Sequence, residues 1–188
     1  MVRTHPTAGA LVGAAVLVLV GAGVAGASAP AAGIAGKGPD VTVAGTHTIK
    51  NEFNGECLTE PSSPGMLRTR PCAEAGLAAW WDISKVTSLW EPDSLKIRGH
   101  QNGRCASVFT NWPLKCSADQ ADNAGWDVER QADGSYRIVG VERDDRGNQL
   151  CLTLRSDNAA ISDDCVSLSG AGDWNAEQRR RQSWGIGS

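Results

Sequence analysis

The sequence predicts an all-β barrel or sandwich made of one unit written three times. The first observation behind this is a recurring order of features. The first copy runs Asn54-Gly-Glu-Cys57-Leu-Thr, then Arg70-Pro-Cys72, then Trp80-Trp81-Asp-Ile83. The second runs Asn102-Gly-Arg-Cys105-Ala-Ser, then Trp112-Pro-Leu-Lys-Cys116, then Asn123-Ala-Gly-Trp126-Asp-Val. The third runs Gly147-Asn-Gln-Leu-Cys151-Leu-Thr, then Asp163-Asp-Cys165, then Gln182-Ser-Trp184-Gly-Ile186. The leading cysteines lie 48 and 46 residues apart, a period that has to be recognised before other fold reasoning. The second observation is strand periodicity. Thr46-His-Thr-Ile49-Lys alternates polar and apolar residues and runs into Asn54-Gly55, a hairpin signal. The third is a pair of cysteines in each copy.

Taken in order, the chain of 188 residues opens with Arg3 and His5 and continues without charge from Ala8 to Ala29. A short positive start, an apolar run and a small-residue exit describe a secretory signal peptide over residues 1–29, cleaved after Ala27 in Ala25-Gly-Ala27. An uncleaved membrane anchor is the competing reading, because the run is long enough to span a bilayer. Residues 30–43 are rich in Gly, Ala and Pro and read as a flexible leader. The folded domain then occupies residues 44–188, with repeats at about 44–88, 89–132 and 133–188.

Each repeat opens on an isoleucine-bearing strand (Ile49, Ile97, Ile138) followed by a Gly- or Asn-marked turn. The third carries extra residues at Glu142-Arg-Asp-Asp-Arg146, a charged turn, and at Leu168 to Trp174. The spacing shows the insertion: Trp81 to Trp126 spans 45 residues, Trp126 to Trp184 spans 58. No stretch holds a sustained helical period, and at most Asp173 to Gln182 forms one or two turns. Trp81, Trp126 and Trp184 occupy one place in the repeat and read as a shared core, each needing a partner for its indole N–H. Trp80, Trp90, Trp112 and Trp174 lack that symmetry and are the better candidates for exposed aromatics.

All six cysteines follow the signal, as expected of disulfides made in an oxidising compartment. Of the 15 possible pairings the repeat selects Cys57 with Cys72, Cys105 with Cys116 and Cys151 with Cys165. Zinc is disfavoured, since no cysteine pair has C-x-x-C spacing and His47 and His100 are isolated. The formal charge is −3, and loss of Arg3 with the signal takes it to −4, which argues against nucleic acid as a partner. There is no Gly-x-Ser-x-Gly, no supported Ser-His-Asp order and no metal spacing. The expectation is a protein without catalysis or cofactor, secreted and monomeric.

The three cysteine pairs in register with three Trp-x-apolar signatures, with Cys57-Leu-Thr and Cys151-Leu-Thr as openings and Gln182-Ser-Trp184 as an intact Gln-x-Trp, resemble the ricin B-chain type β-trefoil lectins, over about residue 44 to the end. The resemblance implies twelve strands as a six-stranded barrel capped by three hairpins, and shallow carbohydrate pockets, one possible per repeat. In that family an acid stands two positions after the first cysteine, because a charged acceptor bonds sugar hydroxyls strongly. Here those positions hold Thr59, Ser107 and Thr153. The stacking aromatic precedes the second cysteine, where this chain has Arg68 and Arg70, then Trp112 and Leu114, then Ile161 and Asp163. The amide before the tryptophan falls on Ala78-Ala79, Asn123 and Gln182. The first repeat therefore reads as structural. Carbohydrate binding is expected of Ser107, Trp112 and Asn123 in the second repeat, with Asp119 or Asp122 nearby. In the third it is expected of Thr153, Asp163 and Gln182. The expected partners are glycans, bound weakly. The alternative is a trefoil scaffold whose loops recognise an extracellular protein, as a protease inhibitor does.

Overall fold

The computed structural model describes residues 43–86, 94–116, 124–167 and 173–187, the last without the side chains of Asp173 and Trp174. The expected signal peptide, nearly all of the leader, Trp90, Asp119, Asp122, Asn123 and most of the Leu168 to Trp174 insertion lie outside them.

Each repeat contributes four strands. The first gives β1 (Gly45–Asn51), β2 (Cys57–Thr59), β3 (Arg68–Arg70) and β4 (Trp80–Lys85). The second gives β5 (Leu95–Gly99), β6 (Arg104–Cys105), β7 (Leu114–Lys115) and β8 (Gly125–Arg130). The third gives β9 (Tyr136–Arg143), β10 (Gln149–Leu154), β11 (Ala160–Asp164) and β12 (Trp184–Gly187). The outer strands of every repeat pair with each other and with the next repeat, all antiparallel. The order β1-β4-β5-β8-β9-β12 returns to β1 and closes a six-stranded barrel. The inner strands make three hairpins, β2-β3, β6-β7 and β10-β11. Closure removes the free edges on which a short-stranded sheet would otherwise aggregate.

The repeat is written into the core. Trp81, Trp126 and Trp184 are fully buried, with Ile49, Ile97 and Ile138 beside them in the same cluster. Each indole N–H donates to the carbonyl of the residue after its repeat's leading cysteine: Leu58 at 3.0 Å, Ala106 at 3.1 Å and Leu152 at 2.9 Å. The barrel wall and the hairpin above it are thereby tied three times by one bond, and none of the three indole donors is left unsatisfied. The bridges Cys57–Cys72, Cys105–Cys116 and Cys151–Cys165 each close a single repeat, with Cα separations of 4.9, 5.1 and 4.9 Å. The turns leading to the hairpins place Gly55, Gly103 and Gly147 at φ of 72°, 68° and 83°. That left-handed backbone is open to glycine at little cost, which explains the Asn54-Gly55 and Asn102-Gly103 pairs and the glycine at 147.

Two departures from threefold regularity matter below. Three residues past each leading cysteine stand Glu60, Val108 and Leu154, all buried. Val108 packs so closely on Gly140 that a Cβ there would collide with it, and Glu60 stands in the same relation to Gly99. The second departure is helical. The short helix α1 (Cys72–Ala75) with a 3-10 turn at Gly76–Ala79 was not legible in the sequence, being too brief to establish a period. The helix α2 (Asp173–Arg181) falls where turns were expected and reaches the first repeat. The Arg181 guanidinium lies over the Phe53 ring at 4.2 Å, and Asn51 Nδ2 donates to Arg181 O at 3.1 Å.

Candidate functional site

The places at which the resemblance puts the acid and the aromatic lie on or between the strands of the outer hairpins. The described amide positions, Ala78-Ala79 and Gln182, precede the last strand of their repeats, and the three repeats have built these places differently. In the second repeat the segment between β6 and β7 is a preformed turn. Val108 anchors it in the core, Ser107 Oγ accepts from the N–H of Thr110 at 3.2 Å, and the Thr110 hydroxyl donates to Trp112 O at 2.7 Å. This leaves Trp112 51% and Phe109 42% exposed on one turn. Large aromatic surface held in water by a fixed backbone is unusual enough to need a reason. Ser107 itself is buried beneath the turn that it braces. Phe109 was not singled out from the sequence. Its spacing of three from Trp112 across a turn was the available signal.

In the third repeat the structure joins two of the expected residues directly. Gln182 Nε2 donates to Thr153 Oγ1 at 3.0 Å and to Asp164 O at 2.8 Å, while its Oε1 accepts from the N–H of Val166 at 2.9 Å. Gln182 is 3% exposed and Thr153 is buried, so this amide is committed inside the chain. Thr153 also donates to Cys151 O at 2.9 Å. Asp163 stands on the exposed face of β11, its carboxylate accepting the N–H of Asp164 at 2.9 Å, apart from the Thr153–Gln182 pair.

Beside it lies an open cleft of about 640 Å³ lined by Arg137, Arg143, Asn148, Gln149, Asp164 and Ser167 among others. Its charges are largely answered from within. Arg137 pairs with Glu129 at 2.7 Å, and Arg146 on the adjoining turn pairs with Asp144 at 2.9 Å. Burial opposes ionisation of Asp144, but the N–H of Asn148 and both groups of Arg146 together hold its carboxyl below the usual range.

The first repeat presents a smaller cavity of about 220 Å³, enclosed by Thr59, Glu60, Arg68, Arg70, Ala78 and Gln101 among others. Thr59, Arg68, Arg70 and Ala78 are in positions that the resemblance assigns to sugar contacts, and Glu60 is next to one. Glu60 forms part of the wall. It is 2% exposed, and its two oxygens accept the N–H groups of Asn102 at 2.8 Å and Arg104 at 3.2 Å.

No protein-family model matches this chain, and no curated protein sequence matches it. Its likeness is to solved structures. A designed threefold-symmetric protein, ThreeFoil, superposes with a TM-score of 0.53 over 76% of this chain and 98% of its own, at 16% identity. The fold is a β-trefoil. The trefoil of a Polyporus squamosus lectin, solved with a human-type influenza-binding epitope, matches at TM-score 0.56 and 14% identity over 76% of this chain and 48% of that one. This chain thus spans about half the length of the lectin. A Culex quinquefasciatus salivary protein rich in cysteine and tryptophan matches at TM-score 0.52 and 18% identity, over 77% of this chain and 92% of its own. At such identities the shared property is the trefoil itself.

Proposed function

We propose that this protein is a secreted carbohydrate-binding module of the ricin B-chain lectin type, non-catalytic, with sugar sites partly rebuilt from the family pattern. The observation that carries the reading is the exposed pair Trp112 and Phe109 on the braced turn of the second repeat. The C–H face of a sugar ring is apolar, and a tryptophan ring held against water covers it without paying side-chain ordering on binding. The position agrees with the aromatic that the resemblance assigns before the second cysteine. A trefoil neighbour that is a sugar-bound lectin supports the same reading, and three disulfides support export to an oxidising compartment.

One shallow pocket of this kind supplies about −4 to −6 kcal/mol, so millimolar to high-micromolar affinity is expected. Calorimetric titration of the oxidised domain with a panel of neutral mono- and disaccharides tests it. Binding of at least one sugar, lost in Trp112→Ala, is the expected result. No heat at millimolar sugar overturns it.

A second reading has its own support. Ser107, Thr153 and Gln182 are all buried, and the salivary neighbour shows the fold outside a protein named as a lectin. On that reading the Trp112–Phe109 turn docks a protein, as exposed aromatic anchors do at interfaces. Co-purification from culture fluid of a partner that Trp112→Ala releases, with no sugar competing, would decide for it.

A further inference from the structure

We infer that the cavity of the first repeat is a binding site for a sugar ring bearing an anionic group, a carboxylate or a sulfate ester, with Arg68 and Arg70 as its recognition residues. This rests on the carbohydrate reading above and names a ligand class for a repeat that the sequence presents as merely structural.

The geometry follows from the strand. Side chains alternate along β3, so Thr69 turns inward while Arg68 and Arg70 share the outer face. Thr69 Oγ1 donates to Glu56 Oε2 at 2.9 Å and accepts from Asn54 Nδ2 at 2.9 Å, fixing that choice of face. The two arginines are exposed, line the cavity together and stand about 7 Å apart along the strand. Strand β3 is held in place by Thr59, whose hydroxyl donates to Arg68 O at 2.8 Å.

Charge then selects the ligand. Among the described residues neither Arg68 nor Arg70 has an acidic partner; other arginines such as Arg104 and Arg143 also lack one, but these two line one cavity together, whereas Arg137, Arg146, Arg155 and Arg181 are each taken by an acid. Arg68 Nη1 donates to the main-chain oxygen of Asp157 at 3.0 Å, and the Asp157 carboxylate is taken by Arg155 at 3.1 Å. The one acid in the wall, Glu60, already accepts two backbone N–H groups. The cavity therefore offers two guanidinium groups without an acidic partner among the described residues, one of them bonded only to a main-chain oxygen, in a chain whose net charge is negative.

An acid at such a site would accept from sugar hydroxyls. Two arginines reverse that polarity and call for a ligand with strong acceptors of its own. Guanidinium forks match planar carboxylates and the oxygens of sulfate, in charge-assisted bonds stronger than neutral ones. Drug-sized pockets run from about 300 Å³ upward, so about 220 Å³ suits one ring rather than an oligomer. Gln101, exposed, also lines the cavity and adds an amide that can bond ring hydroxyls.

The test is calorimetric or NMR titration of the oxidised domain with methyl β-glucuronide, glucose 6-sulfate and neutral methyl β-glucoside. Either anionic probe is expected to bind at least tenfold tighter than the glucoside, with affinity falling as salt rises. Arg68→Gln/Arg70→Gln is expected to lose at least tenfold in that affinity. Arg70→Gln alone, at a residue whose side chain makes no hydrogen bond among the described residues and whose backbone pairing with Cys57 the substitution leaves in place, guards against a folding artefact, and should lose part of it. Which of the two probes prevails identifies carboxylate or sulfate. Equal binding of all three probes, or anionic binding that survives the double substitution, overturns the inference. If neutral sugars bind through Trp112 while neither anionic probe binds, the inference falls and the lectin reading stands. If no saccharide binds, both fall.

Discussion

Replacing each buried tryptophan by phenylalanine, one at a time, asks whether the three repeats carry equivalent loads. Trp81, Trp126 and Trp184 are fully buried, and their indole bonds run 3.0, 3.1 and 2.9 Å to carbonyls at one place in the repeat. Trp→Phe removes the donor and strands a buried carbonyl, at a cost of about 1–2 kcal/mol. The missing ring leaves a void on the order of 40 Å³, which at about 24 cal/mol per Å³ adds about 1 kcal/mol. Each variant should therefore lose about 2–3 kcal/mol, or about 5–12 °C in Tm for a domain of this size. Equilibrium urea unfolding of the oxidised protein, followed by circular dichroism, measures this with the m-value as a check on two-state behaviour. A loss below about 0.5 kcal/mol at any one of the three would refute the equivalence, because that is the range of inert surface changes.

Three further outcomes follow from the geometry. Gln182→Ala deletes three hydrogen bonds around the third hairpin and should cost about 2–4 kcal/mol in urea unfolding, whereas a residue serving only a ligand would leave stability unchanged. Cys105→Ala/Cys116→Ala opens a loop with a sequence separation of 11, worth about 3 kcal/mol of unfolded-state entropy, and an unaltered thermal midpoint would contradict it. The Thr46 hydroxyl, donating to Asp82 at 2.7 Å, is the main cause holding that carboxyl below its ordinary value of 3.8. Because the folded value is depressed, its stabilisation is present above that ordinary value and fades as pH falls through the folded one. Thr46→Val should move the Asp82 midpoint upward in an NMR titration, and an unmoved midpoint would show the hydroxyl to be a bystander.

The architecture was legible because it is carried by residues with narrow uses. Cysteine pairs and tryptophans at fixed offsets admit few arrangements, and Asn54-Gly55 and Asn102-Gly103 announce their turns. The site was less legible, because sequence does not say which way a polar side chain faces. Gln182 has the identity of a sugar-binding amide, yet its geometry commits it to Thr153, Asp164 and Val166. Glu60 takes a place filled by Val108 and Leu154 in the other repeats, and only the fold reveals the two N–H groups that make a buried carboxylate tolerable there. Arg68 and Arg70 read as the loss of an aromatic until the cavity places them on one face.

Whether the outer hairpins of this trefoil hold sugar, as proposed above, can be read residue by residue. Backbone-amide NMR of the labelled, oxidised domain during saccharide titration tests it most directly. Saturable shifts are expected at Val108 to Lys115 with neutral sugars, while the amides of the barrel core stay still. Spectra that do not move at millimolar saccharide would contradict it.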